Sequence, residues 1–427
     1  MLTAVFPSKA LRGFKVHLAV LHALAVGAVS LLPDRCLAED TPPILTMSFR
    51  DTLDGWLVAK SSRRDAGEVV LNRAQLAATL ALDRAGLPGL AVHAQIFNLS
   101  GSSLSERTQD IQTADAIDAQ PMTRLFEFWI EQRFGSEERN VALRAGLLDV
   151  NADFDSIVSA NWLVNSSQGI GADLARSGLN GPSIYPVSSL GIRASWTPSK
   201  QWTARIAVLD GVPGNPSRPD EFVVARLAPR DGILVIGQVD YRWSEKGRVA
   251  AGAWGYSHLR PTLDGNDQRH DRGWYVEAET AFPGSTKWGG WLRYGQAAGS
   301  VQQVDGYWGA GITGKGVFPG RKDDRLGLAV ACASIAPVAV RLSGLPRHET
   351  SFETTYQFKL GELLALQPDL QYLRHPAAAA HAPDAVVVGL RLILSLGGPK
   401  PAPATDASDT TVPSDAPEPK APDGTSS

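Results

Sequence analysis

Between about Arg50 and Leu396 the chain alternates apolar and polar residues at period two, in segments of roughly ten residues whose connections switch between short and long. That double alternation constrains the fold strongly. Each strand of a membrane β-barrel shows one face to lipid and the other to the lumen, with tight turns at one end and longer loops at the other. The clearest segments are 69–82, 122–134, 139–150, 187–197, 200–211, 232–244, 271–282, 348–359, 363–374 and 384–396. Adding 50–60, 89–99, 247–258, 286–297, 303–315 and 324–334 makes sixteen, an even count that returns both termini to one side. Ser136-Glu137-Glu138, Pro198-Ser199, Glu245-Lys246 and Pro283-Gly284-Ser285 read as tight periplasmic turns. Connections 100–121, 151–186, 212–231 and 335–347 read as external loops. The expectation is an all-β transmembrane antiparallel barrel of about 16 strands, of outer-membrane type.

The ends of the chain differ from this pattern. Lys9, Arg12 and Lys15 precede an apolar run from Val16 to Leu32, and Cys36-Leu37-Ala38 offers small residues for cleavage, so residues 1–38 read as a signal peptide. Its removal takes four basic residues and one acidic one, moving the formal charge from −3 to −6. That balance gives no basis for a nucleic-acid partner. Only Cys332 would remain, so no intramolecular disulfide is expected. The barrel then occupies 39–397. Residues 398–427, with seven prolines and no aromatic residue, read as a disordered periplasmic tail.

A soluble β-sandwich also alternates, so the placement of aromatic residues has to discriminate. Trp196, Trp202, Tyr241, Trp243, Trp274, Trp288, Tyr356, Phe358 and Tyr372 gather at strand ends on the apolar face, as the two interfacial girdles of a barrel require. The expected location is the outer membrane of a Gram-negative bacterium, with membrane lipid around the barrel.

Several further motifs occur in order along the chain. They are Leu80-Ala81-Leu82-Asp83 with Leu87-Pro88-Gly89-Leu90, Asn98-Leu99-Ser100-Gly101 running into Asp110-Ile111-Gln112, and Arg124-Leu125-Phe126-Glu127-Phe128-Trp129-Ile130-Glu131-Gln132. Gly146-Leu147-Leu148-Asp149-Val150-Asn151-Ala152-Asp153-Phe154, Asn165-Ser166-Ser167-Gln168-Gly169, Tyr185-Pro186, Leu190-Gly191-Ile192-Arg193, Leu209-Asp210-Gly211 and Leu366-Gln367-Pro368-Asp369-Leu370-Gln371-Tyr372 continue the series. Together these motifs resemble the carbohydrate-selective porin family of the OprB type, and the resemblance implies a sixteen-stranded outer-membrane channel of porin type for small sugars, with no cofactor. The chain departs from the family in two places: the last strand ends Ile393-Leu394-Ser395-Leu396 without an aromatic residue, and Gln168 stands where an aromatic residue is common.

The pleat of segment 122–134 turns Phe126, Phe128, Ile130 and Phe134 outward and Glu127, Trp129, Glu131 and Arg133 inward. Sugars stack C–H faces on aromatic rings and hydrogen-bond to charged groups, so Glu127, Trp129 and Glu131 suit a sugar path; packing of Trp129 beneath an infolded loop is the alternative. Arg144, Arg193 and Arg205 point inward from three successive strands as a positive wall. Asp240 beside Arg242, Glu277 and Glu279 with Tyr275, and Glu353 supply carboxylates farther round, giving an expected transverse field. Trp291 and Tyr307 also face inward on this register, and His93 reads as a solvated wall residue.

Enzymatic and metal readings find little support. Asp149 to Asp155 opens like a calcium loop but has Phe154 at the glycine position and Ala160 at the closing glutamate. Gly309 to Lys315 has phosphate-loop spacing but is followed by Gly316. The six histidines left after cleavage lack metal spacing, and no nucleophile elbow appears. A passive channel for glucose-like monosaccharides leads, ahead of a general or nonselective porin, a barrel plugged by 151–186, and an outer-membrane hydrolase. Monomer and homotrimer stay open.

Overall fold

The computed structural model describes residues 44–60 and 67–397; the expected leader and tail lie outside the described residues. The strands are β1 (Leu45–Lys60), β2 (Glu68–Ala81), β3 (Leu90–Gly101), β4 (Met122–Gly135), β5 (Asn140–Leu148), β6 (Ser189–Ser199), β7 (Trp202–Asp210) and β8 (Ile233–Ser244). They continue with β9 (Gly247–Pro261), β10 (Gln268–Ala281), β11 (Trp288–Ala297), β12 (Val304–Lys315), β13 (Arg325–Ile335), β14 (His348–Leu360), β15 (Leu364–Arg374) and β16 (Ala385–Gly397). Every one coincides with a segment expected from the alternation. Neighbours pair antiparallel, and β1 closes on β16 with Asp54 opposite Arg391 and Trp56 opposite Gly389. Closure satisfies the backbone donors and acceptors that lipid cannot. No helix among the described residues is long and apolar enough to cross a membrane.

Burial follows the pleat. On β7, Arg205, Ala207 and Leu209 are buried toward the lumen while Trp202, Ile206 and Val208 are exposed on the outer face. On β8, Ile236, Gln238 and Asp240 are buried and Val235, Val239 and Tyr241 are exposed. The pleat breaks once in β4. Gln95 pairs with Glu127 and Ile96 with Leu125, so Phe126 is an extra residue on its strand. Such a bulge turns two successive side chains to one side. Phe126 is therefore not lipid-facing as expected: it is 3% exposed, with its ring 5.3 Å from Phe97 and 6.3 Å from Tyr185. Phe128, Ile130 and Phe134, beyond the bulge, do face outward.

Two connections fold into the interior. The β3–β4 connection carries α1 (Ser105–Thr108) and the β5–β6 connection carries α2 (Ala172–Ala175). Val150, Phe154, Ile170 and Leu174 pack on Leu209, Leu234, Ile236, Trp254 and Tyr275 of the wall. Leu104, Ala114, Ile117 and Val164 pack on Trp56, Val69, Leu71, Leu373 and Val387. Wall aromatics lie flat where the next strand offers glycine: a Cβ on Gly252 would stand 2.3 Å from the Tyr275 ring, and one on Gly311 would stand 2.6 Å from the Trp291 indole. A third helix, α3 (Pro337–Ser343), sits in the β13–β14 connection, and its Ala339 is buried in a cluster with Ile111 and Ala172 of the two connections.

Candidate functional site in the barrel lumen

The inward charges of β4 to β10 form one continuous belt. Glu131 on β4 accepts from Arg144 on β5 at 2.9 Å and from Arg193 on β6 at 3.2 Å. Asp153, from the infolded β5–β6 connection, bridges the same arginines at 3.3 and 3.1 Å and lies 4.0 Å from Arg205 on β7. Arg205 pairs with Asp240 on β8, which also accepts from Arg248 on β9 at 2.8 Å. Arg248 closes the series on Glu277 and Glu279 of β10. Three guanidiniums around Asp153 outweigh its burial, the largest opposing influence, and hold its carboxyl below the ordinary carboxylate value.

The structure thus joins Glu131, Arg144, Arg193, Arg205, Asp240 and Glu277, and adds Asp153 and Arg248. The expected separation into a positive wall and an opposing acidic wall is not what forms: adjacent strands place opposite charges within hydrogen-bonding reach, so the arginines are neutralised where they stand. Arg242 departs from the belt, donating instead to the Glu245 carbonyl at 3.2 Å near the tight-turn mouth.

Trp129 occupies a narrow slot. His93 on β3 stacks on its ring at 4.9 Å and 17°, and the Arg144 guanidinium lies 3.9 Å from the ring centroid. Its indole nitrogen donates to Glu127 at 3.3 Å. His93, expected to be solvated, is 5% exposed because Trp129 covers it. Gly146, opposite Trp129 on β5, has φ of +143°, and a Cβ there would meet the Phe128 carbonyl oxygen at 2.1 Å.

Several further inward carboxylates fasten the connections to the wall. Glu353 accepts from the backbone of Val164 at 2.6 Å and Asn165 at 3.2 Å; Glu279 accepts from Ser159 at 2.9 Å. Glu349 holds Ile111, Gln112 and Ala377 in the same way. Arg293 reaches Asp173 at 2.7 Å and also pairs with Asp155. On the far wall Arg391 pairs with Asp54 at 2.6 Å and with Asp115 of the β3–β4 connection at 2.9 Å. Burial, reinforced by Asp54, pushes the Asp115 carboxyl well above its ordinary value. Trp291 and Tyr307 face inward, as their register predicts. Arg248 was detectable from the alternation of segment 247–258; Asp153 was hidden in what looked like an incomplete calcium loop. No group of His, Cys, Asp and Glu able to hold a metal occurs among the described residues.

Between the β5–β6 connection and the tight-turn mouth lies an open cavity of about 280 Å³, lined by Trp162, Arg242, Arg248, Glu279, Lys315 and Arg325 among others. This is near the small end of ligand-site volumes, roughly 300 Å³ and upward.

A family model described as "Carbohydrate-selective porin, OprB family" matches residues 69–396. Among solved structures, the high-pH form of Pseudomonas putida OprB is similar at 19% identity and TM-score 0.71, covering 82% of this chain and 94% of that one. Its low-pH form gives 16% identity and TM-score 0.50, covering 82% and 92%. The outer-membrane channel DcaP of Acinetobacter baumannii gives 10% identity and TM-score 0.54, covering 82% and 97%. At these identities the likeness is one of fold. No curated protein matches the chain by sequence.

Proposed function

Because this chain belongs to the OprB family of carbohydrate-selective porins, outer-membrane β-barrel channels rather than enzymes, we propose that its lumen passes small, glucose-sized sugars by passive diffusion along the ionic belt. The carrying observation is the unbroken series from Glu131 through Arg144, Asp153, Arg193, Arg205, Asp240 and Arg248 to Glu277. Paired charges present a dense array of fixed donors and acceptors with little net field, which suits a neutral polyol exchanging water for charge-assisted hydrogen bonds. Glu127 and Trp129 border that array, and Arg242 stands at the mouth. In this reading Glu127, Trp129, Glu131, Arg144, Arg193, Arg205, Asp240, Arg242 and Glu277 line the path, and the infolded connections narrow it.

Reconstitution in planar bilayers tests the reading. Small single-channel currents, blocked progressively by glucose but not by a disaccharide of twice the bulk, are expected. Currents insensitive to every sugar would leave a nonselective porin, and absence of current would leave a plugged barrel.

A further inference from the structure

The wall facing the ionic belt carries a second set of cations, and these have no such neutralisation. Arg50 on β1 and Arg73 on β2 are diagonal neighbours, since Arg50 stands opposite Gln75 and Arg73 opposite Thr52. No carboxylate of a described residue lies within ion-pair distance of either, and the Nε of each is buried with no hydrogen-bond acceptor. Arg391, which shares this wall, is already taken by Asp54 and Asp115. Farther round, Lys315 on β12 stands opposite Arg325 on β13, which stands opposite Gln357, two residues from Lys359 on β14. None of these three has an ion pair among the described residues, although Asp240, Glu277 and Glu279 are all bound elsewhere in the lumen. Arg325 lies 6.0 Å from the centroid of Trp162, an indole that the β5–β6 connection brings to the cavity they share.

Fixed like charges are held together here at an electrostatic cost, which an anion in the path would relieve. We propose that the channel favours carbohydrates bearing a carboxylate: the anionic group travels along Arg50, Arg73, Arg325, Lys315 and Lys359 while the hydroxyls face the paired belt and the sugar ring meets Trp162. This rests on the carbohydrate-channel reading and specifies its substrate class. The cationic wall concentrates anions in a confined, weakly screened lumen, and the paired belt supplies the hydroxyl contacts that a simple anion channel lacks.

The test uses the full chain in liposomes, with gluconate and glucose as probes of nearly equal size. At low ionic strength gluconate flux should exceed glucose flux on the order of tenfold, falling toward equality near 1 M salt as the wall is screened. Arg50→Gln with Arg73→Gln should shrink the ratio and move the bilayer reversal potential toward cation selectivity. Should that variant fail to fold, the salt series on the unmodified chain still decides. Glucose flux equal to or above gluconate flux at low salt, with no salt dependence, overturns the inference and leaves the carbohydrate channel standing. If inorganic anions pass and neither probe does, the carbohydrate reading falls with it.

Discussion

Trp129 is held by His93 on one neighbouring strand and Arg144 on the other, so its contribution to any sugar contact comes through an edge and a shared polar rim. Replacing it with Ala removes a stacking and cation–π partner worth about 0.5–2 kcal/mol. Single-channel conductance should rise and the sugar concentration for half-block should increase about 2- to 30-fold; unchanged block would put the recognition surface on the arginines instead. Asp153 is the stronger lever. Asp153→Asn strips the shared carboxylate from Arg144 and Arg193, leaving buried cations underpaired, so selectivity should swing toward anions in reversal-potential measurements. Its carboxyl sits below the ordinary 3.8, so the stabilisation it lends is fully present above about pH 4 and is lost as pH falls through the depressed value. Conductance limited by this latch should stay level from neutral pH to about 4 and change only below; a transition near pH 6 that disappears in Asp153→Asn would contradict the assignment.

Among the elements, the β5–β6 connection depends on the wall. Its backbone donors at Val164 and Asn165 end on Glu353, an inward residue of β14 that the alternation marks as luminal without revealing what it binds. Glu353→Ala leaves two buried donors without that acceptor, at about 1–3 kcal/mol each. The connection should then open locally while the barrel persists: noisier and larger currents, and faster hydrogen exchange at those two amides with strand amides unaffected. Exchange quickening equally in the strands would mean that Glu353 supports the barrel and not the connection. All sixteen strands were legible because a barrel strand records its two environments residue by residue. The β4 bulge was not, since Phe126 is an unremarkable residue for a lipid-facing position and only the pairing with β3 shows that it is supernumerary.

At the scale of the whole molecule, closure of β1 on β16 leaves no edge at which unfolding can begin. Unboiled protein should migrate faster in detergent gels than boiled protein and retain β-sheet circular dichroism; identical mobility with recovery in the soluble fraction would count against the barrel. The lumen is divided between a wall of paired charges on β4–β10 and a far wall where Arg50, Arg73, Lys315, Arg325 and Lys359 on β1, β2 and β12–β14 have no ion pair among the described residues, while Asp54 and Glu353 of the same strands are bound to Arg391 and to the β5–β6 connection. That division belongs to the assembled cylinder.

The number of strands, their order, the ends carrying tight turns and, apart from Phe126 at the β4 bulge, the faces turned to lipid and lumen were determined by the sequence, because period-two burial is a local property of each segment. Which inward charges neutralise one another was decided by the tertiary structure. Pairing depends on the register between neighbouring strands and on where a long connection comes to rest inside the barrel. Arg144, Arg193 and Arg205 read as a positive wall in isolation; Asp153, carried inward on the β5–β6 connection, and Glu131 and Asp240, brought alongside by register, make them part of a balanced belt. Arg50 and Arg73 stand in strands whose alternation reads no differently, yet closure brings them no carboxylate within ion-pair distance among the described residues. A charge's partner is set by distances across the fold, which no local pattern encodes.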